Sequence, residues 1–481
     1  MSSGFQNSSG ARCATNAMSS RDFFKNKRIA VIGIGPHGEM INDIKFLIKA
    51  GGIVSVYDMR SEARLKSHIE SLRLAGLLSS MCGSIPPDDL LDMDLIILSH
   101  EYSRESSFLK LAREKKVQIE YPETLFFRLA PSITLIGIMG EYGKSTVMSM
   151  LMPMLETITE DESQGVYALD PESSEGILAY CKKLKSGDVI VIRIIESMMK
   201  ELNALRMSPH VAVFTSVPPA GSYTQSPFEL VAYQTYNNFI VASNEVIDAT
   251  HALGFQPKAK MLRTKASQVP TDWEFAAAGS HDRDNASLAI QVAQLFKVSD
   301  ETIRDVLEKW KPLRGRLELV KKLKQVEFYN DTASVSAAST QLALTTLAGK
   351  KVAATEEKEG SDKRIILILG GVDRGHDYRA LRTVIPKHVR TLILLPGSGT
   401  MKERKEFSSI EDVEVISSPS VEEAVVTAFG QARKGQSRGG KNSEKEYTDR
   451  VLFSPGFAAG GVDQSRKERG ERFVRAVRLL K

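Results

Sequence analysis

The fold is decided by the stretch Ile133-Thr134-Leu135-Ile136-Gly137-Ile138-Met139-Gly140-Glu141-Tyr142-Gly143-Lys144-Ser145-Thr146. Its apolar first half predicts a buried strand, and Val147 to Met152 can open a helix after it. A glycine turn between a strand and a helix lets backbone N–H groups converge on phosphate oxygens, and the helix N-terminus adds partial positive charge. The stretch therefore predicts a nucleotide-binding loop. The residues expected to contact the triphosphate of the nucleotide are Gly140, Gly143, Lys144, Ser145 and Thr146.

Lys144 and Ser145 would supply the chemistry of this loop. The lysine is expected to reach the β- and γ-phosphates, and the serine hydroxyl is expected to hold Mg²⁺. The usual loop has a glycine five residues before Gly143, where this chain has Ile138, so the motif is the shorter Gly-x-x-Gly-Lys-Ser-Thr form. The alternative is a glycine-rich turn without a ligand, although the strand, turn and helix that the motif requires all fit.

Length and composition limit the class of protein. The chain has 481 residues, enough for about three domains, and a net charge of +5 on dispersed basic residues, so no nucleic-acid partner is indicated. No apolar run approaches the ~20 residues of a membrane span. Met1 to Ser20 lacks the apolar stretch of a signal peptide, which predicts a disordered lead-in and a cytoplasmic protein. The three cysteines form neither a metal-binding pattern nor a disulfide framework.

A second glycine motif lies near the N-terminus. Arg28 to Ile32 predicts a strand, and Gly33 to Gly38 follows it with the spacing Gly-x-Gly-x-x-Gly. Ile53 to Asp58 predicts the next strand, whose acidic last residue falls about twenty positions after the glycines, as in dinucleotide-binding folds. Leu95 to Ser99 predicts a further strand of the same sheet. Asp58 has the alternative role of capping a strand end at a solvated rim.

Two more segments repeat the alternation of strands and helices, which predicts the α/β class throughout. The strands expected to join the phosphate loop in the central segment are Asp188 to Ile192 and Val211 to Thr215. The strands expected after Leu313 are Val326 to Tyr329, Ile365 to Leu369, Thr391 to Leu395 and Arg450 to Phe453. Two polar insertions, Ala354 to Lys363 and Lys434 to Tyr447, are predicted to be solvated or disordered loops.

Three successive α/β units with these motifs resemble the Mur ligases, which build the peptide of bacterial cell-wall precursors. The resemblance runs from about Arg28 to the C-terminus and depends on the order of several motifs. Beyond the phosphate loop, these motifs are His281 to Ala286, Arg314 to Val320, Phe328 to Thr332, Leu369 to Tyr378, Leu452 to Gly456 and Glu468 to Phe473.

The resemblance implies a domain organisation and an activity. After a lead-in of residues 1–24, it implies a Rossmann-like UDP-sugar domain over 25–130, a central P-loop ATP-binding domain over 131–312 and a Rossmann-like amino-acid-binding domain over 313–481. The expected reaction adds D-glutamate to UDP-N-acetylmuramoyl-L-alanine, with ATP and Mg²⁺ as cofactors. ATP would phosphorylate the substrate carboxylate, and the amine would displace phosphate from the acyl phosphate. The partners would be small molecules only, and the protein would be a monomer.

The resemblance also assigns site residues. Those expected to line the UDP site are Gly33, Gly35, Asp58, Arg60 and Ser99. Those expected to hold ATP, besides the phosphate loop, are Asn285, Arg316 and Asp331. The catalytic pair would be Lys144 and Arg374, with Arg374 gripping the amino-acid carboxylate. From the residues alone, Arg60 could form a surface ion pair, Asp331 could cap a strand end, and Arg374 could be a solvated loop cation.

The metal site departs from the family pattern. The family places a metal-binding glutamate at the strand end that Arg193 occupies here, so Glu196, three residues later, is the candidate to join Ser145 as a metal ligand. Glu141 replaces a neutral residue of the loop and would repel phosphates unless it turns outward or binds a cation. Two alternative functions are compatible with this pattern. The chain is either a divergent ligase or a catalytically impaired relative that binds nucleotide or UDP-sugar as a scaffold or regulator.

Overall fold

The computed structural model describes residues 20–35, 38–160, 164–171, 175–216, 227–252, 256–275, 280–349, 364–438, 448–460 and 465–481. Chain packing divides these residues into two compact units. The first unit holds the described residues of Met1–Lys265 and Ser287–Val306, and the second holds those of Ala266–Ala286 and Leu307–Lys481. The first unit contains two β-sheets and the second contains one.

The N-terminal sheet is parallel. Its strands are β1 (Arg28–Ile32), β2 (Ile53–Asp58), β3 (Ser79–Cys82), β4 (Leu95–Leu98) and β5 (Gln118–Glu120), in the order β3-β2-β1-β4-β5. Its helices are α1 (Ser20–Phe24), α2 (Ile41–Lys49), α3 (Glu62–Leu74), α4 (Lys110–Glu114) and α5 (Pro122–Leu129). Because the chain leaves β1 toward β2 and later returns to its other side as β4, the carboxyl ends of β1 and β4 flank a crevice where such sheets bind ligands.

The central sheet is also parallel, in the order β11-β10-β9-β6-β8-β7. These strands are β6 (Thr134–Met139), β7 (Val166–Leu169), β8 (Val189–Arg193), β9 (Val211–Phe214), β10 (Phe239–Ser243) and β11 (Lys260–Thr264). The helices that follow β6 in the chain and precede the C-terminal sheet are α6 (Lys144–Glu156), α7 (Glu196–Ala204), α8 (Asn244–Ala252), α9 (Ser280–Leu295) and α10 (Asp300–Lys309). Every residue of β8 and β9 is buried, as expected for strands covered on both faces. The α7 residues Met198 and Met199 are core residues.

The C-terminal sheet is mixed, in the order β12-β13-β17-β14-β15-β16. Its strands are β12 (Glu318–Leu323), β13 (Val326–Asn330), β14 (Ile365–Leu369), β15 (Val389–Leu394), β16 (Glu414–Ser417) and β17 (Asp449–Phe453). Its helices are α11 (Ala337–Ala348), α12 (Arg379–His388), α13 (Ser398–Ser408), α14 (Val421–Arg438) and α15 (Arg466–Leu479). The edge strand β12 is antiparallel to β13 because a two-residue turn connects them.

The predicted α/β class with three sheets is confirmed. The predicted lead-in of residues 1–24 is wrong at its end, because Ser20–Phe24 forms α1 and Phe24 is fully buried. The rest of that lead-in, 1–19, lies outside the described residues, as do the insertion 354–363 and residues 439–447 of the second insertion. Lys434 to Arg438 belong to α14 rather than to a loop.

The N-terminal and central sheets share one hydrophobic cluster, which includes Val31 of β1, Phe126 of α5, Leu178 and Ile190 of β8. At this junction Asp43, in the first turn of α2, is buried and its Oδ1 accepts the Leu178 N–H at 2.8 Å. A carboxylate at the start of a helix is also favoured by the helix dipole. Asp43 therefore links the helix that follows the glycine motif to the central segment.

The stability of this unit is expected to depend on pH through Asp43. Burial raises the pKa of Asp43 from 3.8 to about 7, and the N–H groups of Leu178 and Ile177 offset only part of that effect. Between the unfolded-state pKa and the raised folded-state pKa, the carboxyl group ionises in the unfolded chain but stays protonated in the folded protein. The unfolding free energy therefore falls as the pH rises through this range. We expect the unfolding free energy to fall by up to about 4 kcal/mol between about pH 4 and about pH 7.

Urea unfolding of the Asp43→Asn variant tests this expectation. The amide cannot ionise, so the variant should lose most of the fall in unfolding free energy that the wild type shows over that pH range. Asp92→Asn, at an exposed position of the same segment, is the matched control and should keep the wild-type slope. An unchanged slope in Asp43→Asn would show that another group is responsible.

Candidate functional site

Asp58 organises the crevice of the N-terminal sheet. It ends β2, is fully buried, and accepts the Ile34 N–H at 3.0 Å and the Arg60 N–H at 2.9 Å. The Arg60 guanidinium adds Nε at 2.9 Å and Nη2 at 2.6 Å. Burial pushes the pKa of Asp58 upward, but these hydrogen bonds outweigh it and hold the pKa below its usual value. Asp58 is therefore an ionised anchor that fixes the glycine turn and Arg60 together.

The glycine turn packs directly against the end of β4. Gly33 has a φ of +81°, and a Cβ there would lie 2.4 Å from Ser99 Oγ and 2.7 Å from the Tyr102 ring. Arg60 Nη1 donates to the Gly35 carbonyl at 3.0 Å. The structure thus brings together all five residues predicted for the UDP site, whose role in binding UDP stays a prediction.

Glu101, which was not among the predicted site residues, also lines this crevice. Glu101 Oε2 lies 3.7 Å from Arg60 Nη2 and accepts a hydrogen bond from Ser99 Oγ at 3.4 Å. Burial raises the pKa of Glu101, although the Arg60 charge opposes the rise. The clue in the sequence is position, because Glu101 lies two residues beyond the predicted contact Ser99.

The phosphate loop joins β6 to α6 as predicted. Gly143 caps the helix with a φ of +85°, a conformation that favours glycine, and Lys144 is the first helical residue. Lys144 Nζ donates to the carbonyl of Gly140, and lies 3.4 Å from the carbonyl of Glu141. The ammonium group is therefore held over the turn, where a phosphate-binding loop requires its cation.

The end of β9 holds the loop in shape. The Thr215 hydroxyl donates to the Tyr142 carbonyl and lies 3.1 Å from the Met139 carbonyl, while Ser216 Oγ accepts the Glu141 N–H at 2.9 Å. A Cβ on Gly140 would lie 2.2 Å from Thr215 Oγ1, so this close contact requires glycine. Neither partner could be recognised from the sequence, because each is more than seventy positions from the residue it contacts.

The predicted metal ligands lie on adjacent elements of the central sheet. Ser145 is in the first turn of α6, and Glu196 begins α7 just after β8. Arg193 ends β8, is buried, and pairs with Asp170 at 2.5 Å. Within the described ranges, no group of three or more His, Cys, Asp or Glu side chains converges as metal ligands would.

Asp331 lies at the end of β13 in the second unit. It is buried, its Oδ1 accepts the Leu317 N–H at 3.1 Å, and its Oδ2 accepts the Ser454 hydroxyl at 2.7 Å. Burial raises the pKa of Asp331 to about 6, although hydrogen bonds and the nearby Arg316 charge oppose the rise. These contacts match the strand-end role, and the predicted ribose contact stays a prediction. Asn285, also assigned to ATP, is buried in α9.

Arg374 lies on the loop after β14. The loop is fixed by the Gly371 N–H, which donates to Thr400 Oγ1 at 2.9 Å, and by Lys402, whose Nζ contacts Asp373 Oδ2 at 2.8 Å. The neighbouring carboxylate is thus neutralised by a lysine, and Arg374 is exposed beside it. This placement suits a cation that grips a carboxylate, which remains a prediction.

Curated proteins that are similar to this chain over nearly its whole length are ligases. The UDP-N-acetylmuramoylalanine--D-glutamate ligase of Streptococcus pyogenes serotype M49 is 27% identical over an alignment of 494 positions, gaps included, that covers 95% of this chain and 98% of the relative. The corresponding protein of serotype M1 is 26% identical over the same coverage. No protein-family model matches the chain.

Solved structures show the same fold. A murein peptide ligase from Psychrobacter arcticus matches 95% of this chain and 100% of its own with a TM-score of 0.56 at 13% identity. MurC from Thermotoga maritima matches 94% and 99% with a TM-score of 0.55 at 14% identity. MurF from Thermotoga maritima, solved in complex with ADP, matches 95% and 96% with a TM-score of 0.52 at 14% identity.

The three sheets, the glycine crevice and the phosphate loop define an α/β protein of the nucleotide-binding class. Over nearly its whole length the chain is similar to the UDP-N-acetylmuramoylalanine--D-glutamate ligases of Streptococcus pyogenes, and its fold is that of the solved MurC and MurF structures. Among the helices that the structure describes, none combines the length and apolarity needed to cross a membrane.

Proposed function

We propose that this chain is an ATP-dependent ligase that adds D-glutamate to UDP-N-acetylmuramoyl-L-alanine. The observation that carries the proposal is the phosphate loop, with Lys144 held over the turn between β6 and α6. Likeness to the Streptococcus pyogenes ligases over 95% of the chain supports the choice of substrates. The proposed protein is a cytoplasmic monomer that acts on small molecules.

The proposed chemistry is carboxylate activation. A free carboxylate resists attack by an amine, so ATP first transfers its γ-phosphoryl group to the carboxylate oxygen, which forms an acyl phosphate and ADP. The amine of D-glutamate then attacks the acyl carbon, the tetrahedral intermediate expels phosphate, and the amide is formed. The protein would contribute mainly positioning and charge neutralisation, with Lys144 as the cation at the transferred phosphoryl group.

The residues of the phosphate loop fit a magnesium ion. Mg²⁺ prefers oxygen ligands and usually keeps several waters. Ser145 offers a hydroxyl, and Glu141 Oε2 is a buried carboxylate oxygen with no hydrogen-bond partner among the described residues. We propose that these two side chains coordinate the ion that accompanies ATP, in place of the family's glutamate, whose position Arg193 occupies. Glu196 is a further candidate ligand. When bound, Mg²⁺ would neutralise phosphate charge during transfer.

Phosphate release tests the proposed function. The purified protein is mixed with ATP, Mg²⁺, UDP-N-acetylmuramoyl-L-alanine and D-glutamate, and release is measured with each component omitted in turn. Release that requires D-glutamate would support the ligase, and replacing D-glutamate by other amino acids would test its specificity. Tight binding of the UDP-sugar without any turnover would instead favour the scaffold or regulator.

Arg374→Ala is expected to weaken amino-acid binding. Removing a charge-assisted contact with a carboxylate should raise the KM for D-glutamate by about tenfold or more, with little change in the KM for the UDP-sugar. Steady-state kinetics measures both constants. Arg379→Ala is the matched control, because Arg379 is also exposed but is paired with Asp377 at 2.7 Å. Equal effects of the two substitutions would argue against a specific role for Arg374.

A further inference from the structure

The Glu101 carboxylate brings negative charge to the glycine turn of the N-terminal sheet. Its Oε2 accepts a hydrogen bond from Ser99 Oγ at 3.4 Å, and Ser99 Oγ is also the atom that a Cβ on Gly33 would meet first. Ser99 therefore connects the carboxylate to the turn that follows β1. Phosphates are expected at such a turn, because its N–H groups and the start of the next helix attract anions.

Arg60 does not cancel this charge. Arg60 Nη2 lies 3.7 Å from Glu101 Oε2 but only 2.6 Å from Asp58 Oδ2, and Arg60 Nε lies 2.9 Å from Asp58 Oδ1. Because Asp58 is ionised, two carboxylates share one guanidinium, and the three side chains together carry one net negative charge. The Glu101 side chain is 32% exposed, so water and salt screen its charge only in part.

A second carboxylate, that of Glu39, lies at the same turn. A Cβ on Gly35, which has a φ of +84°, would collide with Glu39 Oε2. Burial is the main reason that the pKa of Glu101 is raised, and Arg60 opposes the rise. The charges of Asp58 and Glu39 add to it, so Glu39 is close enough to act on Glu101. The place where a phosphate is expected is therefore already negative, and each further negative charge on a ligand there costs affinity.

The nucleotides of the proposed reaction differ in charge. The pyrophosphate of a UDP-sugar is esterified at both ends and carries two negative charges. UDP and ATP end in a terminal phosphate, whose second proton is lost at a pKa of about 6, so each carries at least one further charge at about pH 8. The proposed ligase has to admit the UDP-sugar to this crevice while rejecting ATP and free UDP, and repelling the wrong ligand is one way to gain specificity.

From these charges we infer that Glu101 determines the specificity of the crevice. It favours the doubly esterified pyrophosphate of a sugar nucleotide over nucleotides that end in a free phosphate. The inference rests on the proposed function and adds a means of substrate selection to it. Glu101 acts through its charge and needs no direct contact with the ligand, while Asp58 and Arg60 keep their role in shaping the turn.

Glu101→Gln is expected to strengthen the binding of free UDP. The amide keeps the size of the side chain and can still accept a hydrogen bond from Ser99 Oγ, but it removes the negative charge. We expect UDP affinity to rise by about tenfold, and affinity for the β-methyl ester of UDP, which has one charge fewer and no sugar, to rise by only about threefold. UDP-N-acetylmuramoyl-L-alanine should gain as little as the methyl ester.

Titration calorimetry of the full-length protein measures these affinities at about pH 8, without divalent cations, which would mask the phosphate charge. Glu101→Asp keeps the charge and should keep the wild-type preference. Glu105→Gln removes an exposed carboxylate of the same loop, so it is the matched control and should change each affinity by less than about twofold. The advantage that UDP gains in Glu101→Gln should shrink in about 0.5 M KCl, because salt screens charges, whereas a change in the shape of the crevice would not respond to salt in this way.

Several outcomes would overturn the inference. Weaker UDP binding by Glu101→Gln would mean that Glu101 is a hydrogen-bond acceptor for the ligand. Equal changes for UDP and its methyl ester, or gains that salt leaves unaltered, would mean that Glu101 does not act on the terminal phosphate charge. In each of these cases, phosphate release that requires D-glutamate would leave the proposed function intact. A wild-type protein that binds none of the three uridine ligands would overturn both.

Discussion

Lys144→Ala is expected to abolish ligase turnover, with a loss of about 10³-fold or more in kcat. The Lys144 ammonium group is held over the turn by the carbonyls of Gly140 and Glu141, where the transferred phosphoryl group is expected to lie. Charge builds up on that group in the transition state, and a fixed cation stabilises it without reorganisation. Phosphate release under saturating substrates measures the loss.

The same variant should bind the UDP-sugar almost normally. The glycine turn at Gly33 belongs to the N-terminal sheet, whereas Lys144 belongs to the central sheet, so removing the lysine leaves the turn unchanged. Calorimetry with the UDP-sugar measures this affinity, and Lys200→Ala, at an exposed position of α7, is the control for losing a lysine. Parallel losses of turnover and UDP-sugar affinity would contradict the assignment of two separate sites.

Asp58→Asn is expected to cost both substrate affinity and stability. The carboxylate accepts the Ile34 N–H and three donors of Arg60, whereas an amide has one acceptor oxygen and turns an NH₂ group toward those donors. We expect UDP-sugar affinity to fall by about 100-fold and the unfolding free energy by about 2–3 kcal/mol. The stability estimate is below that of a fully buried pair because the Arg60 side chain is 25% exposed.

Calorimetry and urea unfolding measure the two losses, with Asp92→Asn as the matched control. The pH dependence provides an independent check. Because the folded-state pKa of Asp58 is lowered, its contribution to stability is present above its unfolded value of 3.8 and disappears as the pH falls below it. Asp58→Asn should therefore lose part of the acid sensitivity of the wild type. Normal UDP-sugar binding by this variant would rule out the proposed crevice.

The core strands could be predicted because their sequences are continuously apolar. Arg28–Ile32, Thr134–Met139 and Ile365–Leu369 are almost entirely buried, and no competing helical periodicity is present. Edge strands could not be predicted in the same way. Ser79–Cys82 begins with two serines, and neither it nor Glu318–Leu323 has a single buried residue. Their pairing with a neighbour, rather than their composition, makes them strands.

The residues of the candidate sites also differ in whether the sequence predicts them. Residues inside a local motif, such as Asp58 and Lys144, could be identified because the chemistry requires fixed spacing after a strand. Residues that act through distant packing could not, since Asp43 contacts Leu178 across 135 positions and Ser216 contacts Glu141 across 75.

The hydrophobic cluster common to the first two sheets has a consequence for engineering. Apolar side chains of the N-terminal and central segments, such as Phe46 and Leu178, lie in that one cluster, so each segment in isolation would present a wetted apolar surface. A truncation after Ala130, or a chimera that exchanges one of these segments for that of a relative, should therefore aggregate or unfold at a lower temperature than the wild type. A fragment that keeps both segments joined should fold, because it retains the whole shared surface.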